Sequence, residues 1–181
     1  SHVLPALIRK IHLGKCLENN DWKSIKIDLD KNPIEGVNSS SSESEVYKVL
    51  SRYGVTKSDK VRVEIWGSGQ PRREFLWSLD MANACVHAMN NIDFSQLIIN
   101  REEIRNTHLN IGTGEDISIN DLAYLIKGKV GFKGELIFNT EKPDGTMKKL
   151  TDPSRFTSFG WKYKMTLEKG VELMYNWYTE V

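Results

Sequence analysis

Trp66-Gly67-Ser68-Gly69-Gln70-Pro71-Arg72-Arg73-Glu74-Phe75-Leu76 stands at the centre of this chain's pattern. Val61, Val63 and Ile65 alternate ahead of it as in a half-buried strand, and Phe75, Leu76 and Trp77 form a second apolar run behind it. Glycines let a backbone approach a ligand closely, Pro71 stiffens the far side of the loop, and Arg73 offers a planar fork of donors that suits a phosphate. The combination points to an anionic ligand that carries a ring. The plainer alternative stays open, because Gly-x-Gly-x-Pro is also an ordinary connection and adjacent arginines are also an ordinary solvated pair.

On the amino-terminal side, Leu4, Leu7, Ile8 and Ile11 fall at helical spacing, with Arg9, Lys10 and Lys15 mostly on the other face. Pro5 suits the first turn of a helix that runs to about Cys16 and starts next to His2. The free backbone donors of such a start suit an anion or a catalytic side chain at its edge. Residues 17–60 read as a partly flexible segment: Ser39-Ser40-Ser41-Ser42 has the composition of a loop, and Val46, Val49 and Leu50 give a short amphipathic helix between Glu43 and Arg52.

On the carboxyl-terminal side, Ser78 or Asp80 caps a helix to about Asn91, with Met81, Ala82, Ala84, Cys85, Ala88 and Met89 as close-packing residues. Cys85 reads as a small core residue and His87 as a surface or satisfied histidine. His108–Ile111 reads as a short strand leading into Gly112-Thr113-Gly114. Ser118 caps a helix through Val130 that Gly131 ends, and Glu135–Phe138 is the next strand. Lys142-Pro143-Asp144-Gly145 is a turn with a cation at its entrance. A short helix at 152–159 follows, then a helix capped by Thr166 whose Leu167, Val171, Leu173, Met174 and Trp177 read as core.

A chain of 181 residues with 39% apolar and 27% charged residues buries an ordinary core, and a formal charge of +1 gives no footprint for nucleic acid or an anionic membrane. Cys16 and Cys85 form no disulfide framework, no Cys/His spacing matches a zinc site, and no apolar run has the length of a membrane span. A cytoplasmic setting fits.

Four segments in order resemble the extended short-chain dehydrogenase/reductase family, and most closely its GDP-L-fucose synthases. They are Ser1-His2-Val3-Leu4-Pro5-Ala6-Leu7-Ile8-Arg9-Lys10; the Trp66 loop with Asp80-Met81-Ala82; Leu109-Asn110-Ile111-Gly112-Thr113-Gly114; and Lys142-Pro143-Asp144-Gly145-Thr146 with Lys149-Leu150-Thr151-Asp152. The resemblance implies an α/β fold from a Rossmann-type parent, with short strands and four or five helices. It makes residues 1–181 a C-terminal sugar-nucleotide-binding portion whose N-terminal NADP-binding half is absent, with an inserted flexible segment at about 17–60 where the family has a much shorter connection. It implies that GDP-4-keto-6-deoxy-D-mannose is epimerised at C3 and C5 and then reduced at C4 by NADPH to GDP-L-fucose. His2 then corresponds to the family's general acid. Val3, Leu7, Lys10, Trp66, Arg73 and Lys142 correspond to its substrate-binding residues, although Lys10 stands where arginine is usual. The family's cysteine, serine and Tyr-x-x-x-Lys lie upstream of Ser1, and NADP(H) is expected in the parent enzyme, a homodimer, and not on this chain. The alternatives are a free-standing GDP-sugar-binding module and a related epimerase/reductase for another GDP-sugar, such as a 6-deoxy-heptose.

Overall fold

A computed structural model of the chain describes residues 2–99 and 103–180, and Ser1 of the Ser1-His2-Val3 segment lies outside them. The fold is α/β, built on the strand that leads into the Trp66 loop. Helix α1 (Val3–Glu18) starts with His2 as N-cap, as its apolar spacing predicts, and lays Leu4, Leu7, Ile8 and Ile11 into the core. Helices α2 (Trp22–Lys31) and α3 (Glu43–Arg52) follow, then strands β1 (Val55–Lys57) and β2 (Val61–Trp66). Strand β2 alternates: Val61, Val63 and Ile65 are buried against α1, while Arg62, Glu64 and Trp66 face outward.

After the Trp66 loop come β3 (Arg72–Arg73), α4 (Ser78–Asn91), α5 (Phe94–Leu97), β4 (Ile117–Ser118) and α6 (Ile119–Val130). The chain ends with β5 (Glu135–Asn139), β6 (Lys148–Lys149), α7 (Ser154–Thr157) and α8 (Leu167–Glu180). One sheet has the order β1-β2-β5, with β1 antiparallel and β5 parallel to β2. A second, small sheet has the order β4-β3-β6. The parallel register pairs Trp66 with Asn139, so β2 and β5 finish side by side. The loops that leave them, one toward Arg73 and one through Lys142, therefore start at the same edge. Ligand sites in open α/β sheets form at such carboxyl ends.

Several expectations need correction. The helix expected between Glu43 and Arg52 is present as α3, but the rest of residues 17–60, read as flexible, holds α2 and β1, and Ile25, Leu29, Val46, Leu50 and Val55 from this segment are fully buried. Ser42, the last of the serine run, closes a capping box with Glu45 at the start of α3. Eight helices are present among the described residues, where four or five are expected; α5 and α7 are four residues each. His108–Ile111 forms no strand: Leu109 and Ile111 pack instead against Phe156 and Trp161 in a separate small cluster.

Trp77, rather than Ser78 or Asp80, is the N-cap of α4, because the Asp80 carboxylate turns inward and accepts from the N–H groups of Lys164 and Met165 at 3.1 and 2.8 Å. Of that helix's apolar residues only Ala84 is fully buried. Leu79, Val86 and Met89 are exposed, and Cys85, read as core, is exposed as well. Trp177, also read as core, is exposed, whereas Val171 of the same helix is buried. By contrast Ser118 and Gly131 cap α6 as their positions predict, and His87 donates to or accepts from its surroundings as a satisfied residue, Nε2 lying 2.9 Å from the Phe159 carbonyl.

Candidate functional site

The two loops at the ends of β2 and β5 are tied together by polar contacts that their sequences supply. The Asp144 carboxylate accepts from the Ser68 N–H at 2.8 Å and from the Ser68 hydroxyl at 2.6 Å. Arg73 Nη1 donates to the carbonyls of Thr146 and Arg72, at 2.6 and 2.7 Å. The glycines are needed for this closeness. Gly67 and Gly69 have φ of 88° and 77°, and a side chain on Gly67 would collide with the Asp144 carboxylate. A Cβ on Gly69 would lie 2.7 Å from the Phe138 ring. The loop's own carbonyls are held by α6, whose first N–H groups, of Ile119 and Asn120, donate to Pro71 and Gly69 at 2.9 Å each.

A cavity of about 490 Å³ opens beside these loops. Val3, Leu7 and Lys10 line it from α1, Trp66 from the end of β2, and Arg73 from β3, so five of the seven residues read from the sequence share one space. Lys142 stands at its edge with Nζ 5.4 Å from the centre of the Trp66 ring. Trp66 is 68% exposed, which leaves an indole face open to a ligand beneath a cation. His2 is exposed at the N-cap of α1, one residue before the lining, and its side chain makes no capping bond.

The charges are unevenly neutralised. Burial pulls the Lys10 ammonium below its usual pKa, with Glu64 opposing the shift, and Lys10 Nζ lies 5.0 Å from the centre of the Tyr53 ring. Arg52, also lining the cavity, is paired with Glu35. The remaining N–H groups of Arg73 make no hydrogen bond among the described residues. The arrangement can take an anion against Lys10, Arg73 and Lys142 and a flat ring against Trp66.

The residues that sequence reasoning missed are those holding this frame. Glu74 follows the arginines and reaches the Gly112-Thr113-Gly114 turn, accepting from the N–H groups of Thr113 and Gly114 at 2.5 and 2.8 Å and from that of Thr151 at 2.9 Å. Burial alone would lift its carboxyl, but the bonds from Gly114, Thr151 and Thr113 outweigh it and hold the group below the ordinary glutamate range. The turn that mimics a dinucleotide phosphate loop is thus filled by the protein's own carboxylate. Asp144 and Ser68 had a visible signal in their motifs. Glu64, Arg52 and Tyr53, which also line the cavity, had none beyond the alternation of β2.

Elsewhere, Cys16 is buried with its Sγ 3.3 Å from His12 Nε2, and burial pushes its thiol up to about 12, which disfavours the thiolate that a nucleophile needs. Among the described residues no group of acidic, histidine and cysteine side chains could hold a metal ion, and no helix is long and apolar enough to cross a membrane.

Residues 34–112 match the NAD dependent epimerase/dehydratase family. A GDP-L-fucose synthase of Sinorhizobium fredii is 41% identical over 175 residues, covering 97% of this chain and 39% of the relative. The crystal structure of a GDP-6-OMe-4-keto-L-xylo-heptose reductase from C. jejuni is 44% identical with a TM-score of 0.86, covering 99% of this chain and 48% of that one. MlghC, a GDP-mannoheptose C4 reductase from Campylobacter jejuni with NADP bound, is 43% identical with a TM-score of 0.81, over 98% of this chain and 46% of that one. The chain thus spans less than half the length of each of these proteins.

Proposed function

We propose, from the premise that this chain belongs to the NAD dependent epimerase/dehydratase family, that it is the C-terminal, GDP-sugar-binding portion of a GDP-L-fucose synthase-like enzyme. The parent reaction in this reading converts GDP-4-keto-6-deoxy-D-mannose to GDP-L-fucose by 3,5-epimerisation and NADPH-dependent reduction at C4. The observation that carries the reading is one cavity lined by Trp66, Arg73 and Lys10, with Lys142 over the same indole. An indole face and three cations from three separate stretches of chain match a nucleoside diphosphate, which joins a flat ring to two phosphates.

Each group has a task in this reading. Arg73 and Lys142 neutralise the diphosphate, Lys10 approaches it from α1, and Val3 and Leu7 supply apolar contact. Epimerisation beside a ketone removes a carbon-bound proton and returns one on the opposite face, which needs groups with proton affinities near neutrality. His2, at the open end of α1, is the general acid that returns the proton. The base that removes it belongs to the rest of the parent. The residues of this chain do not fit a dinucleotide: the Gly112–Gly114 turn directs its N–H groups to Glu74. NADP(H) is therefore assigned to the remainder of a parent enzyme, read as a cytoplasmic homodimer, and no hydride step is derived from these residues.

A second reading, a reductase of another GDP-sugar such as a heptose, is favoured by the 43–44% identity to the two heptose reductases above. The two readings share the nucleotide site and differ in the sugar. Incubating the full-length protein with NADPH and GDP-4-keto-6-deoxy-D-mannose in deuterated water tests the first. Formation of GDP-L-fucose with deuterium at C3 and C5 supports it. Reduction at C4 without exchange at either carbon contradicts it and favours the second.

A further inference from the structure

Glu64 stands two residues before Trp66 on the outward face of β2, and both line the same cavity. Two residues along a strand place their side chains about 7 Å apart on one side, close to the distance between a stacked ring system and the group that reads its edge. The Glu64 backbone N–H donates to the Gly54 carbonyl at 2.8 Å, which fixes it against the turn carrying Tyr53. Its carboxylate makes no hydrogen bond or ion pair among the described residues, although Lys10 feels its charge. The end of the cavity near Glu64 thus holds the Tyr53 ring, the Lys10 ammonium over it and a carboxylate that accepts no hydrogen bond among the described residues, while Arg73 and Lys142 gather at the Trp66 loop.

We infer that Glu64 is a base-reading residue, whose carboxylate accepts from the N1–H and 2-amino group of a guanine stacked on Trp66. This rests on the GDP-sugar reading above and adds what that reading leaves open, namely why the base is guanine. An ionised carboxylate is an acceptor only, and guanine is the purine whose pairing edge presents two adjacent donors to it. Adenine presents a bare ring nitrogen at the same place, so the carboxylate meets a lone pair and stays desolvated without a partner. A polar site built for donors rejects an analogue that lacks them far more strongly than an apolar slot would.

The test is titration of the full-length protein, wild type and Glu64→Gln, with GDP, with IDP, which lacks the 2-amino group, and with ADP. The wild type should bind GDP about tenfold tighter than IDP and about a hundredfold tighter than ADP, the losses expected for one and for both charge-assisted bonds. Glu64→Gln should weaken GDP about tenfold or more while leaving ADP within about threefold, so that the preference narrows. Equal weakening of all three nucleotides by Glu64→Gln overturns the inference, because Glu64 would then act through Lys10 or the ribose. An unchanged GDP preference in that variant overturns it too. Wild-type protein that binds GDP and ADP equally, with Arg73→Gln weakening both, removes the base-reading role and keeps the diphosphate site. Folded wild-type protein that binds none of the three removes both.

Discussion

Asp144 accepts two hydrogen bonds from Ser68, one from its N–H at 2.8 Å and one from its hydroxyl at 2.6 Å. This one carboxylate fastens the turn of Lys142 to the loop of Trp66. A ligand held by both loops need not order them on arrival, and that saving appears as affinity. Asp144→Ala should therefore weaken GDP binding about tenfold while lowering stability by only about 1 kcal/mol, because the freed groups are exposed and meet water. Asp144→Asn keeps an acceptor for the Ser68 N–H and should stay close to wild type. Calorimetric titration beside thermal unfolding checks this, and a large loss of stability without loss of affinity would contradict it.

Lys10 makes a different trade. Burial holds its ammonium below the usual lysine range, so the folded protein carries a cost that an arriving anion would relieve. Lys10→Met keeps the apolar stem and removes the charge. We expect stability to hold or rise by up to about 1 kcal/mol, with GDP affinity falling about tenfold. A variant that loses stability and keeps its affinity would show that Lys10 serves the fold through Tyr53 and Glu64 instead.

How much of this was written in the sequence follows from what local patterns record. Periodicity located α1 and β2, and cap residues located both ends of α6, since these signals sit within a few residues of what they determine. Of the residues that the resemblance marks out, Val3, Leu7, Lys10, Trp66 and Arg73 line one cavity, with Lys142 beside it. Contacts between distant segments were not legible. Glu74 lies 39 residues from Thr113 and 77 from Thr151, and nothing in the spacing names its partners. The exposure of Met89 and Cys85 was equally hidden, because periodicity assigns an apolar face to α4 without saying whether a neighbour covers it. The serine run is a loop, as its composition says, but one tied down by local bonds: Ser42 caps α3, and the N–H groups of Ser39 and Ser40 donate to Asp30 and Asn38.

Glu74 gives a pH signature. Its folded pKa lies below the 4.5 of a free glutamate, so the unfolded chain takes up a proton more readily. The stability it contributes is whole above about 4.5 and is lost as pH falls through the lower folded value. In Glu74→Gln an amide donor replaces one acceptor and faces either the Thr151 N–H or the Thr113–Gly114 pair. We expect a cost of about 2 kcal/mol at pH 7, from a donor left without an acceptor. Denaturant unfolding of both proteins at pH 7 and at pH 3 should show that difference shrinking in acid. A gap independent of pH would mean that the Glu74 charge contributes nothing to the fold.

The most direct test of the diphosphate site compares GDP with guanosine on the full-length protein, wild type and Arg73→Gln. The account predicts that the wild type prefers GDP by about a hundredfold or more, and that Arg73→Gln removes at least about tenfold of that preference while leaving guanosine affinity nearly unchanged. A wild type that binds guanosine as tightly as GDP, or an Arg73→Gln protein that keeps the full preference, would contradict it.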